Sequence, residues 1–115
     1  MEERFEISIL LDFYSELLTE KQKNIMIMYY NEDLSLGEIA ELNDISRQAI
    51  YDIIKRCQKL LLDYEQKLEL KKKSEILTEF KKSIIEKCNL IKEKVSDDEI
   101  LMYLNGIEND IRENL

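Results

Sequence analysis

Apolar side chains recur every three or four positions along most of the chain, which is the period of an α-helix. The chain contains no proline and only two glycines, and its commonest residues form helices well. The sequence therefore predicts an all-α fold. The predicted helices cover residues 5–18, 20–31, 36–43, 47 onward, 75–94 and 97–114.

Each predicted helix carries an apolar stripe that we expect to face a core or a partner. From the first helix to the sixth, the expected inward-facing residues are Phe5, Ile9, Phe13 and Leu17; Ile25, Met28 and Tyr29; Ile39, Ala40 and Asn43; Ile50, Ile53, Ile54, Cys57, Leu61, Tyr64 and Leu68; Leu77, Phe80, Ile84, Cys88, Ile91 and Val95; and Ile100, Leu104, Ile107 and Ile111.

Helix starts are marked by capping boxes, in which Ser or Thr precedes Glu or Gln by three residues. The three candidate boxes are Thr19/Gln22, Ser35/Glu38 and Ser96/Glu99. Ser46 is a further candidate N-cap, at the start of the fourth helix. That helix has no obvious end, and residues 71–74 could form either a bend or a continuous helix.

The chain changes character near Tyr64. Before it, the predicted helices are short and joined by tight turns, whereas the later helices are long and amphipathic. We expect a head over residues 1–64 and a helical tail over residues 65–115. The tail has little to pack on by itself, so it either folds back on the head or pairs with a second copy. The six apolar residues of the stripe from Leu77 to Val95 have nearly heptad spacing over about three heptads. Because such spacing is typical of coiled coils, a homodimer is the expected state.

Residues 35–56 meet the requirements of a helix-turn-helix. A small residue, Ala40, stands where the two helices must cross closely. Asn43 and Asp44 follow, and these are the residue types other than glycine that best tolerate the left-handed backbone of a tight turn. Ile45 would fill the turn from inside, and Ser46 would cap the second helix.

The segment LTEKQKNIMIMYYNEDLSLGEIAELNDISRQAIYDIIKRCQKLL resembles region four of bacterial sigma factors. Both have a helix that opens with Leu-Thr-Glu and ends in tyrosine, then a capped Ile-Ala helix, then Ser-Arg at the start of the recognition helix. The resemblance covers residues 19–62. It implies a sigma-like helix-turn-helix head.

The strings YYNEDLSLGEIAE, ISRQAIYDIIKR and LLDYEQKLEL resemble the YlxM family, small helix-turn-helix proteins of Gram-positive bacteria and mycoplasmas. The resemblance extends over nearly all of the chain. Members of that family are encoded beside the GTPase of the signal recognition particle. The resemblance therefore implies a part in that pathway, with the GTPase or the particle's RNA as partner.

Charge bears on whether the second helix binds nucleic acid. The whole chain is acidic, with 25 Asp and Glu against 17 Lys and Arg, but residues 46–64 hold four cations against two carboxylates. Base-reading side chains usually stand at the start of the recognition helix. Where sigma-like helices place further arginines, this chain has Ala49, Tyr51, Asp52 and Ile54. The candidate nucleic-acid-binding residues are Arg47, Gln48, Tyr51, Lys55, Arg56 and Lys59.

Lysines at 71–73, 81, 82 and 87 form a second basic group in the tail. They suit a nucleic-acid backbone or the acidic face of a partner protein, and the simpler interpretation is a solvated helix face.

Residue types needed for catalysis and metal binding are scarce. The chain has no histidine, which is the commonest general base, and its two cysteines are too few for a zinc site. Phosphate-binding glycine loops and nucleophile-elbow motifs do not occur. We therefore expect no enzyme activity, no metal and no cofactor, with Cys57 and Cys88 buried and reduced. The longest apolar runs fall short of a membrane span and the N-terminus is acidic, so we expect a cytoplasmic protein.

Three hypotheses for function remain open at this point. The first is a regulatory or adaptor protein of the signal recognition particle pathway that uses the helix-turn-helix as a scaffold. The second is a transcriptional regulator that reads the DNA major groove with the helix from Arg47 to Arg56. The third is a helical homo-oligomer joined through the tail, which is compatible with either of the others.

Overall fold

The computed structural model describes residues 2–115, and this part of the chain contains helices and no strand. The predicted all-α fold is therefore confirmed. In chain order the elements are α1 (Glu2–Tyr14), a 3-10 turn (Ser15–Leu17), α2 (Glu20–Tyr30), α3 (Leu36–Asn43), α4 (Arg47–Leu68), α5 (Leu70–Lys94) and α6 (Asp98–Asn114).

Contacts divide the chain into two units, an N-terminal unit that ends at Lys71 and a C-terminal unit over Lys72–Leu115. In the N-terminal unit, α1, α2 and α3 all pack against α4, which is its central element. The core follows the helical period of each element. Its buried side chains are Ile7, Leu10, Leu11, Tyr14, Leu18, Ile25, Met26, Ile39, Ala40, Ile50, Ile54, Cys57 and Leu61.

The stripe predicted for the first helix was wrong. Phe5 is 69% exposed, Leu17 is 52% exposed, and the core uses the set that begins at Ile7 and continues through Leu11 and Leu18. Two apolar stripes share this helix, and both satisfy the spacing of three or four residues. α1 packs against α4, and the second set is the one that becomes buried in the core.

Caps set the helix starts, as predicted at three of four sites. The hydroxyl groups of Thr19 and Ser35 accept hydrogen bonds in complete capping boxes, and the Ser46 hydroxyl accepts a bond from the backbone of Ala49. The predicted box at Ser96 was wrong. Asp97 caps α6 instead, because its carboxylate accepts from two backbone amides of the first turn and also suits the helix dipole.

A cluster of hydrogen bonds marks the end of α4 and the start of α5. Glu69 separates the two helices in a left-handed conformation, with φ of 54°. The buried Tyr14 phenol donates to the Glu65 carboxylate at 2.6 Å and accepts from the backbone amide of Leu70 at 3.0 Å. The same carboxylate accepts from the amide of Lys71 at 3.0 Å. Tyr14 and Glu65 thus satisfy amides that the first turn of a helix leaves unpaired.

The fifth helix begins earlier than predicted, at Leu70 instead of residue 75. Residues 71–74, where a bend was considered, lie inside α5. Lysine is a good helix former, and a single serine does not end a helix whose first amides are already bonded. The interruption falls one residue before α5, at Glu69.

The C-terminal unit is an antiparallel pair of helices. Lys92 Nζ lies 2.9 Å from a Glu108 carboxylate oxygen, and Lys81 donates to the Leu115 carbonyl at 2.7 Å. Residues later in α5 thus meet residues earlier in α6. Of the stripes predicted for these helices, Cys88, Leu104 and Ile111 are buried. The remainder includes five exposed side chains, namely Leu77, Phe80, Ile91, Ile100 and Ile107.

Candidate nucleic-acid interface

The turn between α3 and α4 is built as the sequence predicted. Ala40 is buried where the two helices pack. Asp44 takes the left-handed conformation at φ 53°, and its amide bonds back to carbonyls of α3. The Ile45 amide donates to the Ala40 carbonyl at 3.2 Å, and the Ile45 side chain packs against the core. Asp44 ends α3, and the Ser46 cap starts α4 two residues later.

Asn43 stabilises this corner in a way that spacing alone does not predict. Its side-chain amide donates to the Ile39 carbonyl at 2.8 Å and lies 3.7 Å from the sulfur of Met28. The bond to Ile39 holds the Asn43 side chain against the preceding turn of α3. The contact with Met28 links the corner to α2.

α4 presents opposite faces to the core and to solvent. Its buried face holds Ile50, Ile54, Cys57 and Leu61. Ile54, which the apolar stripe of this helix predicted to face inward, is 4% exposed and so adds nothing to the outward face. All six candidate binding residues are exposed on this helix: Arg47, Gln48, Tyr51, Lys55, Arg56 and Lys59.

The structure brings four of these six residues together. Arg47, Gln48 and Tyr51 line an open recess of about 440 Å³ together with Leu36 of α3. Lys55 and Tyr51 line an adjoining recess of about 170 Å³. Leu36 and Tyr51 line both recesses, so the two lie side by side. Arg56 and Lys59 are exposed on α4 but do not line either recess.

Contacts along this face engage two of its candidate binding side chains, Gln48 and Lys55. Gln48 donates to the Asp52 carboxylate at 3.0 Å, so its amide is already engaged. The ammonium of Lys55 lies 5.6 Å from the centre of the Tyr51 ring, within range of a cation–π contact. The face therefore combines an aromatic ring, an amide and two cations beside one carboxylate.

A cluster of two tyrosines and an arginine extends this surface, and the sequence reasoning missed it. The Arg4 guanidinium lies 4.5 Å from the Tyr29 ring centre and 5.0 Å from that of Tyr30, and it donates to the Tyr29 carbonyl. Gln58 of α4 donates to the Tyr30 phenol at 2.6 Å. Burial raises the pKa of Tyr30, so the phenol stays neutral at physiological pH.

The tyrosine cluster adjoins the recesses along α4. A third recess measures about 200 Å³, and its lining residues are Glu3, Arg4, Tyr29, Tyr30, Lys55 and Gln58. Tyr29, Lys55 and Gln58 also line the second recess, so one groove runs along the exposed side of α4. In the sequence, the signal for this cluster was the pair of tyrosines at the end of the second helix. That pair does not predict a contact with Arg4, which is distant in the chain.

Metal-ligating and thiol side chains in the part of the chain that the structure describes bear on what chemistry this surface could do. Among residues 2–115, no group of three or more His, Cys, Asp or Glu side chains is placed to hold a metal ion. Both cysteines are buried and free, and burial raises the pKa of the Cys57 thiol to about 11, which keeps it protonated and unreactive. The groove can bind by stacking, hydrogen bonding and charge.

Comparison with known proteins identifies the family. The family model described as "Putative helix-turn-helix protein, YlxM / p13 like" matches residues 1–100. The chain belongs to this family. A YlxM/p13-like relative from Clostridium novyi, a "UPF0122 protein", is 55% identical over 111 residues. The matched residues make up 96% of this chain and 96% of the relative. A UPF0122 protein of Clostridium kluyveri is 50% identical over 115 residues, the whole of both chains.

A third YlxM/p13-like relative, from Clostridium acetobutylicum, is 50% identical over 111 residues, or 96% of each chain. Family membership thus extends over both units described above. No helix in the described part of the chain has the length and apolar character needed to cross a membrane.

Proposed function

We propose that this protein is a regulatory or adaptor protein of the signal recognition particle pathway. It would act in the cytoplasm as a homodimer and use the helix-turn-helix as a scaffold for binding the particle's GTPase, its RNA or both. One observation carries the proposal: YlxM/p13-like membership over residues 1–100. The link to the pathway comes from the resemblance to that family, whose genes lie beside the gene of the particle's GTPase.

The composition of the α4 surface supports an adaptor role. Tight duplex binders neutralise roughly 6–10 phosphates, whereas α4 offers four cations near its first half. Gln48 is bonded to Asp52, and Lys55 lies over Tyr51. Tyrosine rings beside amides and a few cations suit a protein surface or unpaired bases of RNA better than a row of duplex phosphates.

An affinity purification with the tagged full-length chain tests this proposal. The bound fraction from extract of the native cell should contain the GTPase of the particle, its RNA, or both. The double substitution Arg47→Ala with Lys55→Ala should reduce recovery, because it removes two cations from the groove. Lys67→Ala, an exposed lysine near the end of α4, is the matched control. Recovery of neither the GTPase nor the RNA by the unaltered chain would contradict the proposal.

A DNA-binding transcriptional regulator is the second candidate. It is favoured by the exposure of Arg47 and Gln48 in the first turn of α4, where base edges are commonly read. A dimer would present two such helices to two half-sites.

Selection of bound sequences from random DNA at modest salt tests this candidate. An enriched motif is expected, and Arg47→Ala with Gln48→Ala should abolish that enrichment while helicity stays unchanged. Failure to enrich any motif would rule out sequence-specific reading and leave the first proposal intact.

A further inference from the structure

We propose that the α5–α6 pair is half of an antiparallel four-helix bundle, which a second copy of this chain completes by placing its α6 against α5. The inference deepens the homodimer part of the proposed function. It does not depend on what α4 binds.

The side of each helix that faces its neighbour follows from the two contacts between them. On α5, Lys81 and Lys92 reach across to α6, and the buried Cys88 shares their face at helical spacing. On α6, the corresponding residues are Glu108 and Leu115, and the buried Leu104 and Ile111 share their face. We call these the contact faces of α5 and α6.

One residue before each contact position, a side chain lies about 100° round the helix. In an antiparallel pair, the same backward step turns the side chains of both helices to the same side of the pair. These residues are Phe80, Ile84, Lys87 and Ile91 on α5, and Tyr103, Ile107, Asp110 and Asn114 on α6. We call this the apolar side, and on it Phe80 is 59% and Tyr103 58% exposed.

One residue after each contact position, the side chains turn to the opposite side. These residues are Lys82, Glu86, Asn89 and Glu93 on α5, and Asn105, Asn109 and Arg112 on α6. We call this the polar side, since every one of these side chains is polar. The pair is therefore amphipathic as a unit, because one side suits water and the other leaves large apolar side chains exposed to it.

The size of the unit also calls for a partner. Lys72–Leu115 is close to the lower limit of about 40 residues below which a chain rarely builds a sufficient core by itself. Of the residues in its two predicted apolar stripes, only Cys88, Leu104 and Ile111 are buried. Stacking a second pair on the apolar side would bury Phe80, Ile91 and Ile107 in the middle of a four-helix bundle.

Charge favours a second copy as the partner and selects its orientation. The charged residues of the apolar side are Lys87 on α5 and Asp110 on α6. They lie at about the same level, because Lys87 falls between Lys81 and Lys92 while Asp110 falls between their α6 partners, Leu115 and Glu108. The surface thus carries a cation and a matching anion, as a self-complementary twofold interface requires.

Two twofold arrangements could stack the apolar sides. An axis parallel to the helices puts α5 on α6 of the second copy at the same level, so Lys87 meets Asp110 of the second copy twice. An axis across the helices puts α5 on α5 and α6 on α6, so neither Lys87 nor Asp110 faces its opposite charge. The first arrangement is therefore the one we propose.

Sedimentation equilibrium of the full-length protein tests the interface. The unaltered chain should be a dimer at micromolar concentration, and Phe80→Glu should make it monomeric with its helicity retained, because Phe80 is exposed within one copy. Lys82→Glu changes the polar side of the same helix and should leave the dimer unchanged. A monomeric unaltered chain, or a dimer insensitive to Phe80→Glu, would overturn the proposal.

A charge exchange tests the orientation. Lys87→Glu alone and Asp110→Lys alone should each weaken the dimer roughly tenfold, because two attractive pairs become repulsive. Mixing the two variants should restore affinity, since each mixed dimer pairs an introduced glutamate with an introduced lysine and keeps one natural pair. Failure of the mixture to recover would exclude α5 against α6. These results stand apart from the affinity purification, which reports only on the partner.

Discussion

Single residues of α1 show how burial, more than hydrophobicity, sets a side chain's contribution to stability. Leu11 is 2% exposed in the core beside α4, whereas Phe5 on the same helix is 69% exposed. Both are large and apolar, and the amino-acid sequence does not tell them apart. The contact with α4 does, because a packed core loses both burial and filled volume when a side chain is truncated.

Truncation of these two residues should therefore have unequal effects. Leu11→Ala should lower the free energy of unfolding by about 2–5 kcal/mol, because it leaves a cavity in the core. Phe5→Ala should change it by less than about 0.5 kcal/mol, as is usual for exposed positions. Urea unfolding followed by circular dichroism measures both. Equal losses would mean that Phe5 is covered in solution.

Cys57 should give the stability a dependence on pH. Burial raises the pKa of its thiol from 9.0 to about 11, so the folded state favours the neutral thiol. Its contribution is complete below pH 9 and is lost as pH rises towards 11. Between pH 8 and pH 10, this thiol should lower the free energy of unfolding of the unaltered chain by on the order of 1 kcal/mol. The Cys57→Ala variant should not show that decrease. Identical pH profiles would contradict a buried thiol.

At the scale of elements, the helix-turn-helix was the part most fully predicted from the sequence. Its requirements are local, namely a small residue at a crossing, a left-handed corner and a cap, and the structure has them at Ala40, Asp44 and Ser46. The Arg4–Tyr29–Tyr30 cluster was not predicted, because it joins α1 to α2 and no local pattern records a contact between residues so far apart in the chain.

The same reasoning explains the errors in helix boundaries. α5 begins at Leu70 because Tyr14, far away in α1, accepts its amide hydrogen bond. Asp97 and Ser96 are adjacent and both can cap a helix, so only the path of the backbone decides between them. Local signals thus predicted the type of each element and three of the helix starts, whereas a distant contact sets the start of α5 and the backbone path sets that of α6.

The close crossing of α3 and α4 should not tolerate a larger side chain. Ala40→Leu adds volume where the helices pack and should lower the free energy of unfolding by about 1–3 kcal/mol. Leu42→Ala on the exposed side of α3 is the matched control, with a change below about 0.5 kcal/mol. Thermal unfolding of both variants measures this. A neutral Ala40→Leu would mean that the crossing is looser than the structure has it.

For the whole molecule, charge limits how nucleic acid can be bound. The net charge is −8, and the candidate surface on α4 holds four cations. The logarithm of the duplex binding constant should therefore fall with the logarithm of salt concentration with a slope no steeper than about −4. Fluorescence anisotropy with a labelled duplex over a range of salt measures the slope. A slope near −10 would require cations from outside α4.

The Tyr14–Glu65–Leu70 hydrogen bonds also have a practical consequence for dividing the protein. A fragment that stops at Tyr64 would lack the carboxylate and the amide that the buried phenol of Tyr14 contacts, and that phenol would be left without either partner. A fragment that extends to Lys72 would keep both, at the expense of a short helical stub. A shortened fragment of this chain should therefore end after the residues that bond to Tyr14 of α1, and not at the change in amino-acid composition near Tyr64.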